Sequence, residues 1–225
     1  RRSHCEQRTV LGIAGRPGAF AEYLTLPTEN LHGVPDTVPD DEAVFTEPLA
    51  AAFEIPAQGH LRPDDHVVVL GDGKLGLLCA QVLALTGCRL TVLGRHPNKL
   101  ALLAARLYVA QVFFLSGRAL RTAGPDDLPA RRADVVVECT GSPAGFELAR
   151  RLLRPRGTLV MKSTYAGTVT VDMSRLVVDE ITLVGSRCGP FPAALDALAR
   201  RLVDVRALIH ARYPLAQALA AIEHA

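Results

Sequence analysis

The chain has 225 residues, of which 49% are hydrophobic and 21% charged, as in ordinary globular proteins. Its 25 basic and 23 acidic residues nearly balance, which argues against the basic surface that nucleic-acid binding requires. No stretch reaches the roughly 18 uncharged apolar residues of a membrane span, and the first residues form no apolar signal segment. The five cysteines form no CxxC pair, so we expect reduced thiols and a cytoplasmic location. From the charge balance and the lack of a long apolar stretch we expect neither nucleic-acid nor membrane partners.

Residues 1–53 are punctuated by glycine and proline. They contain short β-like pieces such as Ala19–Leu24, and their prolines argue against long helices. We therefore predict an irregular, β-rich region. The prolines concerned are Pro27, Pro35, Pro39 and Pro48.

Residues 54–187 alternate between aliphatic strands and helices. With aromatic residues at only 5% and no Trp, the core must be aliphatic, which suits a parallel sheet covered on both faces. The order predicts an α/β fold, a doubly wound Rossmann sheet of six parallel strands. The expected strands are 66–70, 89–93, 110–114, 134–138, 157–161 and 181–185, and the expected helices are 75–86, 97–108, 143–153, 192–202 and a last one from 215.

A glycine-rich loop joins the first expected strand to the first helix. It reads Gly71-Asp72-Gly73-Lys74-Leu75-Gly76, and a GxGxxG motif in this context is typical of dinucleotide binding. The first glycine permits the tight turn, the second lets the backbone approach a pyrophosphate, and the third lets helix and strand pack closely. Free N–H groups at the helix N-terminus would bind the anion. The alternative is a glycine-rich turn that binds nothing.

The segment after the second strand bears on the choice of dinucleotide. NAD enzymes usually place an acidic residue there to bind the ribose 2′-OH, but this segment reads Gly94-Arg95-His96-Pro97-Asn98-Lys99. Gly94 leaves room, and Arg95 with Lys99 supplies positive charge for a 2′-phosphate. NADP(H) is therefore favoured. Alternatively, both cations are solvated residues at a helix start.

Polar residues follow three further strands at their carboxyl ends, where open α/β sheets bind ligands. We expect them to lie beside the nicotinamide and its ribose, although any of them can instead be a turn or cap residue. They are Thr140 and Gly141, Ser163 and Thr164, and Ser186.

Four stretches together resemble the medium-chain dehydrogenase/reductase family, that is, the zinc alcohol and polyol dehydrogenases. They are Gly18–Tyr23 (GAFAEY), Asn30–Asp36 (NLHGVPD), Phe45–Ala50 (FTEPLA), and Glu138–Gly141 (ECTG) followed by Arg154–Thr158 (RPRGT). The resemblance covers nearly the whole chain. It implies a GroES-like catalytic domain split around a Rossmann domain, with residues 1–53 as a partial catalytic domain, 54–187 as the dinucleotide domain and 188–225 as the return segment.

The resemblance implies hydride transfer between an alcohol carbon and a nicotinamide, with zinc polarising the oxygen in the full-length protein. Glu47 would be a zinc ligand, or else a carboxylate that simply favours a helix start. The family's Cys ligand and Gly-His-Glu motif have no match here, so we expect a chain truncated at both ends and inactive alone, and we assign no catalytic residue. The resemblance makes Tyr108 a candidate neighbour of the 2′-phosphate, or else it is a core residue. In this family the sixth strand lies at the lateral edge of the sheet, and the apolar, β-prone segment Ile181–Val184 therefore predicts at least a dimer.

Two rival interpretations stay open. One is a zinc-free enone or quinone reductase of the same superfamily, against which the EPLA segment argues. The other is a truncated product that binds NADP(H) without catalysis, which turnover by this polypeptide would exclude.

Overall fold

The computed structural model describes residues 4–104, 111–114, 132–165 and 167–224. The chain divides into two compact units, one formed by Val34–Leu208 and one formed by Arg1–Gly33 with Ile209–Ala225. The described part of the expected helix 97–108 ends at Ala104, and Tyr108 lies outside the described residues.

The larger unit contains a six-stranded sheet flanked by helices. Its strands are β1 (His66–Leu70), β2 (Arg89–Gly94), β3 (Gln111–Phe114), β4 (Ala133–Glu138), β5 (Leu153–Met161) and β6 (Thr182–Gly185). Its helices are α1 (Asp40–Ala43), α2 (Thr46–Gln58), α3 (Lys74–Ala84), α4 (Pro97–Ala104), α5 (Pro143–Leu152), α6 (Met173–Val178) and α7 (Phe191–Ala199), with a 3-10 turn at Arg206–Leu208.

All neighbouring strands are parallel, in the order β3-β2-β1-β4-β5-β6. The chain runs outwards from β1 to β3 and then returns to pair β4 with the other side of β1. This reversal is the topological switch point at which open α/β sheets bind ligands. At the carboxyl edge, Leu70 of β1 pairs with Leu93 on one side and Glu138 on the other. The predicted doubly wound Rossmann sheet is confirmed.

The sheet is covered on both faces by aliphatic side chains. Val67 and Val69 pack in the larger core cluster with residues of α2, α3 and α7, whereas Val68 and Leu70 pack in a second cluster with residues of α5. All four are at most 2% exposed. Alternate residues therefore face opposite layers, as the pleat of a strand requires.

One helix corrects the expectation of an irregular region up to residue 53. α2 begins at Thr46 and runs to Gln58, so the expected boundary between 53 and 54 falls inside it. Pro48 is compatible with this helix because it lies in the first turn, where its missing N–H is not needed. The buried face of α2 includes Leu49, Ala50 and Ile55, and this packing outweighs the local proline signal.

In the smaller unit, residues 19–24 do not form the β-like piece that their sequence suggests. Phe20 and Tyr23 are 77% and 90% exposed. Among the described residues of this unit, the β-pairing consists of one isolated bridge, between Val10 and Ala14. A strand needs a partner to satisfy its N–H and C=O groups, so the pattern alone does not suffice. The unit otherwise contains 3-10 turns at Thr28–Asn30 and Leu215–Gln217 and the helix α8 (Ala218–His224). In the part of the chain that the structure describes, no helix combines the length and hydrophobicity of a membrane span.

Candidate functional site

The turn from β1 into α3 depends on a glycine at its first position. Gly71 has a φ of +119°, and its N–H donates to the carbonyl of Leu93 at 2.8 Å. A Cβ on Gly71 would lie 2.8 Å from the carbonyl oxygen of Cys139. Backbone conformation and space therefore both require glycine here.

The other two glycines of the loop differ in their surroundings. A Cβ on Gly76 would lie 2.1 Å from the carbonyl oxygen of Gly71, whereas a Cβ on Gly73 would meet no atom within 4 Å. Gly73 is the N-cap of α3 and provides no side-chain cap. Lys74 is exposed and Leu75 packs against the core. The N-terminus of α3 thus lacks a side-chain cap and borders open space at Gly73, and this arrangement fits a pyrophosphate.

At the carboxyl end of β2, Gly94 is buried, Arg95 is exposed and Lys99 is half-buried in α4. The space above Gly94 is filled by Asp72, since a Cβ on Gly94 would lie 2.5 Å from the Cβ of Asp72. The structure therefore brings a carboxylate from the glycine loop to the turn after β2, where the sequence of that turn contains no acidic residue.

His96 holds this carboxylate. Its backbone N–H donates to Asp72 Oδ2 at 2.5 Å, and its ring Nδ1 lies 3.0 Å from both carboxylate oxygens. Burial acts to raise the pKa of Asp72, but the hydrogen bonds and the charge of His96 outweigh it and leave that pKa below its usual value. Asp72 is thus ionised at neutral pH.

The buried carboxylate of Glu138 holds the turn after β4 in place. Its side chain is 0% exposed, and Oε1 accepts hydrogen bonds from the backbone N–H and the hydroxyl of Thr140. The adjacent Gly141 is exposed with a φ of +68°. The N–H of Gly145 donates to the Ser142 hydroxyl at 3.0 Å, which caps α5. Thr140 therefore stabilises the turn after β4, which is the alternative role that the sequence analysis gave for it.

A buried lysine connects the ends of β5 and β6. Lys162 Nζ donates to the carbonyls of Ala51 at 2.6 Å and Arg187 at 3.0 Å, and to the hydroxyl of Ser186 at 3.2 Å. Burial lowers the pKa of Lys162. Ser186 is itself 6% exposed, whereas Ser163, next to Lys162, is half-buried at the sheet edge.

The candidate zinc ligand Glu47 lies in the first turn of α2 with its side chain exposed. Within residues 4–104, 111–114, 132–165 and 167–224, no three His, Cys, Asp or Glu side chains are grouped so that they could hold a metal. The described residues therefore do not fit a catalytic zinc, which requires three protein ligands. The assignment of Glu47 stays a prediction.

The predicted cofactor residues lie at one edge of the sheet. The loop Gly71–Gly76 follows β1, Gly94 ends β2 and the pair Thr140–Gly141 follows β4, and these three strands are adjacent. Ser163 and Ser186 follow β5 and β6. Sequence reasoning missed Asp72, His96 and Lys162. The available signals were an acidic residue inside the glycine motif and a lysine directly after an apolar strand.

The family described as zinc-binding dehydrogenase matches residues 75–203, more than half of the chain. Together with the switch-point site, this match shows that the chain belongs to that family, within the medium-chain dehydrogenase/reductases.

Curated relatives include polyol dehydrogenases. The chain is 27% identical over 213 residues to a protein of Aspergillus clavatus named as a D-xylulose reductase A, covering 91% of this chain and 59% of the relative. It is 28% identical over 218 residues to sorbitol dehydrogenase of Halalkalibacterium halodurans, covering 95% and 63%. It is 29% identical over 219 residues to erythritol/L-threitol dehydrogenase of Mycolicibacterium smegmatis, covering 95% and 60%. The chain thus spans about 60% of the length of these relatives.

Solved structures agree in fold. A protein of Sinorhizobium meliloti described as a zinc-binding dehydrogenase and bound to NADP has a TM-score of 0.80 and 27% identity, with 93% of this chain and 63% of that chain covered. An alcohol dehydrogenase of Escherichia coli complexed with NADH has a TM-score of 0.84 at 24% identity, covering 97% and 65%. The second likeness bears on the fold alone.

Proposed function

We propose that this chain binds NADP(H) as the dinucleotide-binding part of an alcohol or polyol dehydrogenase. The observation that carries the proposal is the glycine loop, where open space at Gly73 borders the uncapped N-terminus of α3. Backbone N–H groups at such a helix end bind the pyrophosphate and the helix dipole favours its charge.

The preference for NADP(H) is supported by the charges after β2. Arg95 is exposed there and Lys99 lies in the first turn of α4. A guanidinium binds a phosphate through two parallel charge-assisted hydrogen bonds. The NADP-bound relative of Sinorhizobium meliloti is consistent with this assignment.

The reaction proposed for the whole protein is hydride transfer between an alcohol carbon and the nicotinamide. Three of the relatives above are named for reactions on polyols or their ketoses, which favours a small polyhydroxylated substrate. The nicotinamide ring accepts or donates the hydride when it is bound. Thr140, Gly141, Ser163 and Ser186, at the ends of β4 to β6, would orient that ring and its ribose.

Zinc enters the proposal only for the whole protein. Glu47 would be one ligand, and because no three potential ligands are grouped among the described residues, no chemical step of this chain is assigned to a metal. We propose a cytoplasmic enzyme whose metal-dependent chemistry requires residues beyond those that the structure describes.

Cofactor titration tests the central proposal. We expect NADPH to bind to the purified chain with enhanced fluorescence and more tightly than NADH. In parallel, metal analysis and an NADP-linked assay with alcohols and sugars should show neither stoichiometric zinc nor turnover. Absence of binding by both dinucleotides would refute the proposed function. Zinc that survives dialysis, or turnover lost on chelation, would show that the chain contains ligands not identified above.

We also propose that the chain forms at least a dimer through β6. This strand lies at the edge of the sheet, and Leu183 in it is 50% exposed, so its apolar edge invites pairing. Sedimentation at micromolar concentration should show a dimer that L183E weakens. The control L85E changes a leucine that is 45% exposed after α3 and should leave the dimer intact. A monomeric wild-type chain would exclude this mode of assembly.

A further inference from the structure

The turn after β2 contains an acidic group that its own sequence lacks. In Rossmann domains an Asp or Glu about 20 residues after the glycine loop binds the ribose 2′-OH. The residue 20 positions after Gly76 is His96. The carboxylate of Asp72 is hydrogen-bonded to both the backbone and the ring of this histidine. The carboxylate that Rossmann domains usually place in the turn after β2 is thus supplied here by Asp72 of the glycine loop.

Packing fixes this carboxylate in place. It lies over Gly94, the last residue of β2, so closely that any side chain at position 94 would displace it. Asp72 is 6% exposed, while the side chain of His96 is 50% exposed. The pair therefore forms a small acidic patch, partly covered by an imidazole, at the carboxyl end of β2.

We infer that Asp72 is a specificity-determining residue that limits the preference for NADP(H) over NAD(H). The inference rests on the proposed function, because it concerns the adenosine ribose of the same cofactor. The carboxylate accepts a hydrogen bond from a ribose 2′-OH and repels a 2′-phosphate. Arg95 and Lys99 act in the opposite direction, so the preference for NADPH is smaller than these two cations alone would produce.

His96 determines how strongly the Asp72 carboxylate affects the affinities for the two dinucleotides. Its ring contacts both carboxylate oxygens and so partly satisfies their charge, which reduces the field that a ligand meets. Removal of the ring leaves the backbone N–H to hold the carboxylate and exposes more of its charge. The ratio of the two affinities therefore depends on both residues, in opposite directions.

The test compares NADPH and NADH binding by the wild-type chain and by D72N. Asn keeps the shape of Asp and an oxygen that can accept the His96 N–H, but it removes the charge. We expect D72N to bind NADPH about tenfold more tightly, with NADH affinity unchanged or weaker. The gain for NADPH should shrink between about 0.1 M and about 0.5 M salt, because screening weakens charge repulsion.

Two further variants make the result decisive. D196N removes an equally charged, exposed carboxylate on α7 and should change neither affinity. H96A should shift the ratio towards NADH, and it tests the same charge independently if D72N does not fold. If the wild-type chain binds neither dinucleotide, the proposed function fails and this inference fails with it. If it binds them but neither D72N nor H96A changes the ratio, or if the change is insensitive to salt, the inference alone is overturned.

Discussion

The two halves of the carboxyl edge use polar groups in opposite ways. On the glycine-loop side, formed by Gly71–Gly76 and Gly94–His96, backbone N–H groups and exposed side chains such as Arg95 face open space. On the lysine side, formed by Lys162, Ser186 and their partners, a buried ammonium donates all of its hydrogen bonds within the protein.

This difference teaches which groups are available to a ligand. An ammonium whose three N–H donors all bind protein acceptors contributes to the structure, because a ligand would have to replace those bonds. An uncapped helix end beside open space lacks such partners and is available for an anion. We call the glycine-loop side the binding half, because it would hold the pyrophosphate and the adenosine ribose, whereas Lys162 on the lysine side holds α2 and the ends of β5 and β6 in position.

The largest effect is expected on the glycine-loop side from G76A. Its methyl group would lie 2.1 Å from the carbonyl oxygen of Gly71, so loop or helix must move. We expect the free energy of unfolding to fall by about 1–3 kcal/mol or more, with loss of cofactor binding. Urea unfolding and NADPH titration measure the two effects.

G73A is the matched variant in the same loop. Residue 73 has a φ of −68°, and a Cβ there meets no atom within 4 Å, so stability should change by no more than about 0.5 kcal/mol. The methyl group would still enter the space assigned to the pyrophosphate, and we expect NADPH affinity to fall by about tenfold or more. Normal NADPH affinity in G73A would show that the pyrophosphate lies elsewhere.

The second prediction concerns the exposed cation of the binding half. R95D removes a charge-assisted contact and adds repulsion, so NADPH binding should weaken by about 1.5–3 kcal/mol or more, while NADH binding stays unchanged or improves. R89D makes the same charge reversal at the other end of β2 and should have no such effect. Equal NADPH affinity in R95D and wild type would remove Arg95 from the site.

The sequence sufficed to predict the binding half in outline. The strand, the turn and the helix around the glycine motif are consecutive in the chain. The loop and its position between strand and helix could therefore be predicted from the sequence. The order of aliphatic runs likewise predicted the sheet, because each strand is a continuous apolar segment.

The missed contacts all depend on long-range packing. Asp72 meets His96 across 24 residues, and Lys162 reaches Ala51 across 111 residues. No local pattern records which segments will be neighbours. The helix α2 was missed for a related reason, because the burial of its apolar face, and not its own residues alone, overrides the prolines.

The third prediction tests the lysine side. K162M preserves most of the side-chain volume but leaves the acceptors at Ala51, Ser186 and Arg187 without their donor. We expect a loss of about 1–3 kcal/mol in the free energy of unfolding, and partial recovery in K162R. R175M, which removes an exposed cation on α6, is the control and should cost less than about 0.5 kcal/mol. A fully stable K162M would show that the lysine does not hold these segments together.

The smallest effect is a pH dependence that belongs to the lysine side alone. Burial lowers the pKa of Lys162 below 10.5, so between the lowered pKa and 10.5 the unfolded chain binds more protons than the folded one. Stability must then rise with pH across that window, because ammonium burial no longer opposes folding. Subtracting the unfolding free energy of K162M from that of wild type cancels the titration of the groups that do not interact with Lys162. This difference should stay constant at neutral pH and become more favourable to wild type as the pH approaches 10.5. A difference that decreases over this range would mean that the three acceptors favour the charged amine more strongly than burial opposes it.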